Sequence, residues 1–478
     1  MTIYAYTVAS IASMGGFLIG YELGVIDQLL IMDSFSGSFG ITHENESETH
    51  GNVTSIFVVG AIFGCLGTSY LADKIGRKPA LCIACGFYIL GTLIQACAMY
   101  LWMIYVGRIV QGVAEGMLGP LSPLFISEAS PTALRGTLTS FYHLFFTAGI
   151  VVASCLDTIL IKSSLSNEFE WRITIGIQSV LGALVMLLIF LCLPESPRYL
   201  AKAGRLDDCR KVLARLLAQP SESTDVSLEY NDIKLAIQND EKIGQATWLE
   251  LFKPVYRSRL VIVLVYQAVK QISGIVAILF FAAAFFQRVG FSKEDSATTL
   301  VIINSLVLML ASVPSLYLIE RAGRRSLLIY GSAAMALFQI GTSVCMKMAQ
   351  GPVPEASWGS LAANYLTVIA FSLSMGPVVW VVQQEFLPLR VRSKAGGVGA
   401  LFNWSFTAIA AKLAPILNEK LGWAQFLVYS GCCLFFCIFT CLYVPETKGV
   451  KLEEIDELFG QPAATREEEV VLDSKPVA

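Results

Sequence analysis

The run from Val265 to Phe281, VYQAVKQISGIVAILFF, carries a lysine near the middle of an apolar stretch. Arg257 and Arg259 precede it, and Gln287 and Arg288 follow. About 25 largely apolar residues therefore lie between polar flanks, enough to cross a bilayer as a helix. A lysine at mid-membrane costs ~2.5–3.5 kcal/mol on insertion scales, so Lys270 is expected to face a cavity or a partner rather than lipid. Gln271 follows it, and Ser273-Gly274 gives the helix a weak point. A polar, breakable helix at the midplane is where a transported ligand would be held. A second charged pair is Glu22, in GFLIGYELGVI, and Arg108, in a later apolar run. A lone buried carboxylate takes up a proton and gives it up beside a guanidinium. Glu22 and Arg108 can thus bind and release a proton as they separate and rejoin; a static ion pair is the alternative. His143, Lys270, Gln271, Asn304, Trp380, Asn403 and Trp404 are candidates to line one cavity, where amides and aromatic faces suit a hydroxyl-rich or planar ligand. Taken singly, His143 and Trp380 read as packing and Asn304 as a hydrogen bond between helices. Glu115, Asp157 and Asp27 are expected near span ends or in internal pairs rather than on the ligand.

These groups need an all-helical membrane framework. The chain of 478 residues is 55% hydrophobic and only 15% charged, where a soluble domain carries roughly a quarter. Its mean hydropathy is +0.63. About twelve spans are expected, near residues 4–32, 53–72, 79–99, 102–125, 137–160, 173–193, 260–285, 298–319, 326–347, 362–384, 397–417 and 424–444. The N-terminus lacks the basic start and cleavage site of a signal peptide, so its apolar run is expected to be a retained helix. Cysteines such as Cys82, Cys85, Cys432, Cys433, Cys437 and Cys441 sit inside apolar runs and read as small core residues, not a disulfide framework. The net charge of −3 gives no reason to expect a nucleic-acid partner. No nucleophile–base or metal-ligand arrangement lies in an aqueous segment, so neither enzymatic activity nor a cofactor or metal is expected.

The polar segment 194–259 splits the chain into an N-terminal bundle, 1–193, and a C-terminal bundle, 260–444, with a tail at 445–478. Within the segment, Leu206, Cys209, Val212, Leu213, Leu216 and Leu217 share one helical face, which predicts surface helices lying against the spans. Lys74, Arg77, Lys78, Arg135, Arg321, Arg324, Arg325, Arg390, Arg392 and Lys394 fall on connections on one side, so that side, both termini and the central segment are expected to be cytoplasmic. The opposite loop, 33–50, has no Lys or Arg; its sequon at Asn45 is the better glycosylation candidate, since Asn52 lies close to the next span. The halves repeat each other. Asp73-Lys74-Ile75-Gly76-Arg77-Lys78 recurs as Glu320-Arg321-Ala322-Gly323-Arg324-Arg325, and Glu128 and Arg135 recur as Glu385 and Arg392. Pro194-Glu195-Ser196 recurs as Pro445-Glu446-Thr447. Matched acids and arginines suit a cytoplasmic latch that holds the halves together and releases as they rock apart; setting topology alone is the plainer role for the basic residues.

These motifs, with Gly107-Arg108, PLFISEASPTALRG from Pro123 to Gly136, Trp171-Arg172, Pro194 to Arg198, Gln271 to Gly274, Gly376-Pro377 with Trp380, Glu385 to Arg392, Asn403-Trp404 and Pro445 to Gly449, resemble the sugar porter family of the major facilitator superfamily over nearly the whole chain. The resemblance implies twelve helices in two pseudo-symmetric six-helix bundles, alternating access and a central sugar site. It also implies a proton role for Glu22, which stands where proton-coupled members have an aspartate, with Arg108 matching its partner. The departures concern the ligand. The family's fifth-span glutamine is His143, the first of its paired seventh-span glutamines is Lys270, a following asparagine is Val276, and a tyrosine pair is Phe280-Phe281. The expectation is a proton-coupled or facilitative transporter of a sugar-like small molecule. Its rivals are a carrier of an anionic organic acid or secondary metabolite, which Lys270 and His143 would meet, and a non-transporting nutrient sensor, against which the short acidic tail counts.

Overall fold

The structure, a computed structural model, describes residues 3–30, 32–42, 46–131, 134–161, 167–243, 247–280, 282–292, 299–350, 355–387 and 391–450. The first part holds α1 (Ile3–Leu29), α2 (Asp33–Phe39), α3 (Glu46–Ser55), α4 (Phe57–Ile75), α5 (Arg77–Ala96), α6 (Leu101–Ala129), α7 (Arg135–Ile161) and α8 (Asn167–Cys192). The central segment folds as α9 (Pro197–Lys202), α10 (Leu206–Leu217), α11 (Thr224–Ile243) and a 3-10 turn, Trp248–Phe252. The second part holds α12 (Pro254–Ile272), α13 (Ile275–Phe280), α14 (Ala282–Val289), α15 (Thr299–Arg321), α16 (Arg324–Ala349), α17 (Ala356–Leu373), α18 (Met375–Phe386), α19 (Arg392–Leu421) and α20 (Gln425–Tyr443).

Among the described residues, ten stretches are long and apolar enough to span a membrane, and one of them, Arg392–Tyr443, contains both α19 and α20. The broken helix α12–α14, interrupted at Ser273-Gly274, supplies the remaining span and brings the number to twelve. Gly274 has φ +92°, and a Cβ there would lie 2.7 Å from the Tyr429 ring, so the break needs glycine on both counts. The expected span 362–384 is two helices, because Ser374 leaves the helical region at φ −131°, ψ −90° and α18 restarts with Pro377 in its first turn. Its counterpart α6 carries Pro120 and Pro123 yet continues unbroken.

The exterior is apolar and the interior comparatively polar. Phe63 and Leu191 are each 67% exposed, while Gln95, Gln111 and Gln178 are buried. These amides satisfy one another: Gln95 Nε2 donates to Gln111 Oε1 at 2.7 Å, and Gln111 Nε2 to Gln178 Oε1 at 2.9 Å. Such inversion is what a bilayer demands, since a buried polar group there needs an internal partner. Helices approach so closely that a Cβ at Gly20 would lie 1.8 Å from the Phe146 carbonyl oxygen, small-residue packing of the kind membrane bundles use.

The central segment caps one end of the bundle. Ser196 accepts a hydrogen bond from Tyr199 N and Pro197 occupies the first turn, which starts α9. Helix α10 places Asp207 and Asp208 in its first turn and Arg215 in its last, matching the macrodipole. It buries Cys209 and Leu213 against Leu200, Val226 and Ile233, while Leu216 joins the core beneath α1 and α6. Leu206, Val212 and Leu217 pack at the edge of this cluster. The loop 33–50 is partly helical, as α2 and the start of α3. Asn52 is exposed on α3, which runs almost directly into α4. Asn45, Phe281, Arg390, Pro388 and the tail from 451 onward lie outside the described residues.

Candidate functional site

A cavity lies between the two halves. Helix α1 contributes Ile19, Glu22 and Leu23 to its lining, and α7 contributes Tyr142, His143 and Phe146. The break in α12–α13 presents Lys270, Gln271, Ile275 and Val276, and α19 presents Asn403, Trp404 and Thr407. Phe371 and Trp380 come from either side of the α17–α18 break. His143, Lys270, Gln271, Trp380, Asn403 and Trp404 are thus brought together. Asn304 is not among the lining residues; it is buried on α15, and its side-chain oxygen has no hydrogen-bond partner among the described residues. Tyr142, Phe371 and Thr407 line the cavity although nothing in their sequence context marks them out.

Gln271 Nε2 donates to Asn403 Oδ1, which fixes both amides. The Lys270 amine lies 4.7 Å from the centre of the Trp380 ring and makes no ion pair among the described residues. A desolvated contact of this kind contributes about 2 kcal/mol, comparable to part of the cost of placing the amine there. Tyr142 meets Trp380 edge-on at 5.4 Å, and Phe57 meets Trp404 at 5.5 Å, so both indoles are held by aromatic neighbours. His143 Nε2 and Trp404 Nε1 are buried without hydrogen-bond partners among the described residues. Both residues line the cavity, so the site offers an indole N–H, an imidazole nitrogen and an amine to a polar ligand between aromatic walls.

Glu22 lines this cavity and also makes an ion pair with Arg108. Arg108 Nε donates to the Val53 carbonyl at 3.1 Å, and the guanidinium lies 5.0 Å from the centre of the Phe57 ring. The arginine is therefore held from α3 and α4 while its carboxylate partner comes from α1.

At the end bearing Lys74, Arg77, Arg324 and Arg325, here the basic end, the repeated motifs form two matching clusters. Arg77 meets Glu128 at 3.0 Å and Asp73 at 3.6 Å; Arg324 meets Glu385 at 2.9 Å and Glu320 at 2.8 Å. Glu195 accepts from Arg77 N at 2.9 Å, as Glu446 does from Arg324 N at 2.9 Å. Burial pushes the Glu195 carboxyl above its ordinary range, against the opposing pull of these backbone donors and Arg77. Ser196 Oγ donates to Glu128 at 2.5 Å, as Thr447 Oγ1 does to Glu385 at 2.6 Å. These arginine–glutamate pairs lie within one half each, unlike a latch in which acid–arginine pairs join the halves. The other acid of each cluster takes part in contacts that cross between the halves. Ser393 Oγ donates to Asp73 at 2.8 Å and Lys394 lies 3.9 Å from it; Thr137 N donates to Glu320 at 3.2 Å. Arg135 and Arg392, one or two residues before these donors, are buried at the starts of α7 and α19. A Cβ at Gly136 would lie 2.5 Å from Arg324 Nη2, and one at Gly397 would lie 2.7 Å from the Cys65 carbonyl oxygen. The basic end is closed by these approaches.

Two pseudo-equivalent six-span bundles around a central, largely apolar cavity with a few convergent polar groups, joined at one end, define a multi-pass membrane transporter of the alternating-access type. Residues 8–459 match the family described as Sugar (and other) transporter, and the chain belongs to that family. It is 30% identical to the low-affinity glucose transporter HXT1 of Saccharomyces cerevisiae over 94% of this chain and 80% of that protein. It is also 29% identical to the sugar transport protein MST7 of Oryza sativa subsp. japonica, over 96% of this chain and 92% of that one. In fold it matches the proton:xylose symporter XylE bound to 6-bromo-6-deoxy-D-glucose, with TM-score 0.85, 23% identity and coverage of 95% of this chain and 99% of that one. Against the inward-open XylE from E. coli the TM-score is 0.71, with 22% identity and coverage of 95% and 99%.

Proposed function

We propose that this transporter moves a sugar or sugar-like small molecule together with protons, with both termini, the basic end and the central segment in the cytoplasm of a plasma-membrane protein. Residues 1–193 and 260–444 rock as units, and 194–259 and the tail 445–478 lie on the cytoplasmic side. The observation that carries the coupling is that Glu22 both lines the cavity and pairs with Arg108. Protonation of Glu22 neutralises it and releases the guanidinium, so one side chain links proton occupancy to the wall of the ligand site. His143, Lys270, Gln271, Trp380, Asn403 and Trp404 are the proposed ligand contacts. The acids and arginines Asp73, Arg77, Glu128, Arg135, Glu320, Arg324, Glu385 and Arg392 form the proposed cytoplasmic gate. Relatives named as glucose, galactose and hexose transporters support a hexose as ligand.

A second reading rests on Lys270. Its amine has an aromatic ring beside it and no carboxylate among the described residues, which favours a ligand carrying an acidic group. Uptake of labelled hexoses and pentoses by purified protein in liposomes, with uronic and other organic acids as competitors, separates the readings. Hexose uptake without competition by acids supports the neutral-sugar site. Uptake of an acid with no transport of any neutral sugar would overturn it.

A further inference from the structure

Glu115 stands at mid-length of α6, two turns beyond Arg108, and is fully buried. It does not line the cavity, and the coupling reading leaves it without a role. Its carboxyl lies within hydrogen-bonding reach of the Glu22 carboxyl. No donor among the described residues reaches either of its oxygens. Two carboxylates cannot share such a contact, since both are acceptors; one must hold a proton and donate it to the other. Glu22 is the one that faces Arg108, so the donor is Glu115. The titratable groups facing the pair are Arg108 on α6, Tyr88 on α5 and Tyr142 on α7, with Tyr21 of α1 beyond Tyr88 and Cys65 of α4 beyond Tyr142. Tyr88 donates elsewhere, to the Leu18 carbonyl at 3.0 Å and Gln178 at 3.2 Å, so it does not compete for Glu115.

We propose that Glu115 stores the coupled proton, a role that rests on the proton-coupled reading of this site. With the basic end closed, Arg108 holds Glu22 as a carboxylate and the proton sits on Glu115. When the halves rock and α1 draws Glu22 from Arg108, the Glu115 O–H bond breaks and an O–H bond forms on Glu22. Glu115 is left as a carboxylate on the same face of α6 as Arg108, seven residues away, and the guanidinium turns to it. Glu22 then gives its proton to water in the cavity, which it lines and Glu115 does not. Arg108 keeps its charge throughout and exchanges one carboxylate for the other, so the buried Glu115 carboxylate is paired once its proton has left, while the Glu22 carboxylate formed on release faces cavity water.

The test is Glu115→Gln in the full-length protein, since the amide still donates to Glu22 but carries no exchangeable acid proton. Infrared spectroscopy of the wild type should show a protonated-carboxyl band that is absent in this variant. In liposomes, substrate-driven proton movement should be lost while counterflow of substrate persists. Glu115→Asp should restore part of the proton movement, which a packing role would not predict, because it leaves much the same gap as other shortenings. Persistence of the carboxyl band in Glu115→Gln, or intact proton movement, would overturn the storage role alone. A wild type that moves no protons would overturn it together with the coupled reading.

Discussion

Trp404 shows how much a single side chain is asked to do. Its ring packs on Phe57 while its N–H has no partner among the described residues, so the donor is available to a ligand hydroxyl. Trp404→Phe keeps most of the ring area and removes a hydrogen bond of about 1 kcal/mol, so KM for a neutral sugar should rise about fivefold with little change in the maximal rate. Transport assays over a range of sugar concentrations check this. Lys270 tests the choice of ligand. If an acidic group meets it, Lys270→Gln with His143→Gln loses a charge-assisted contact of about 1.5–3 kcal/mol, and inhibition by acidic analogues weakens about tenfold to a hundredfold. If the ligand is neutral, the same variant changes hexose transport and leaves acid analogues without effect before and after. Most cavity residues were legible because any polar or aromatic side chain in an apolar run needs a reason to be there. Asn304 met the same criterion and sits elsewhere, since sequence marks a residue as buried and polar but not which surface it faces. Tyr142 and Phe371 went unmarked because a cavity wall and a packed core use the same side chains.

At the scale of elements, closure of the basic end rests on two helix starts meeting two acids. Ser393 at the start of α19 reaches Asp73, and Thr137 at the start of α7 reaches Glu320. Each is a hydrogen bond to a charged group, about 1.5–3 kcal/mol. Ser393→Ala should therefore shift the balance toward the form open at the basic end by about tenfold to a hundredfold. Gly397→Ala should act in the same direction, because its Cβ would meet the Cys65 carbonyl oxygen and the backbone cannot give way as a side chain can. Labelling of cysteines introduced on the basic side of the cavity reports the shift. The repeat of acids and arginines was legible, but whether each pair braces a half or bridges the halves depends on which helices touch, and that is a tertiary fact. The break at Ser273-Gly274 was visible as a glycine; the break at Ser374 lies in an apolar run whose only hint is Pro377.

Across the whole molecule, the described basic connections that predict a cytoplasmic side gather at the end capped by α9–α11. A cysteine replacing Ser221, between α10 and α11, in a cysteine-poor background should react with an impermeant reagent only after the cells are opened. The twelve-span plan was legible from hydropathy, including α12–α14, where polar flanks and a central lysine outline a span that apolarity alone would miss. The opposing sides of the cavity come from helices far apart in the chain, so their meeting was legible only through the internal repeat. In the proposed cycle, Glu22 links movement of ligand through this cavity to protons. Purified protein in liposomes, given a labelled sugar and an imposed pH gradient, tests it most directly. The expected result is accumulation above the outside concentration, collapse of that accumulation with a protonophore, and its loss in Glu22→Gln while exchange persists. Uptake that stops at equilibrium, ignores the pH gradient and is the same in Glu22→Gln would contradict it.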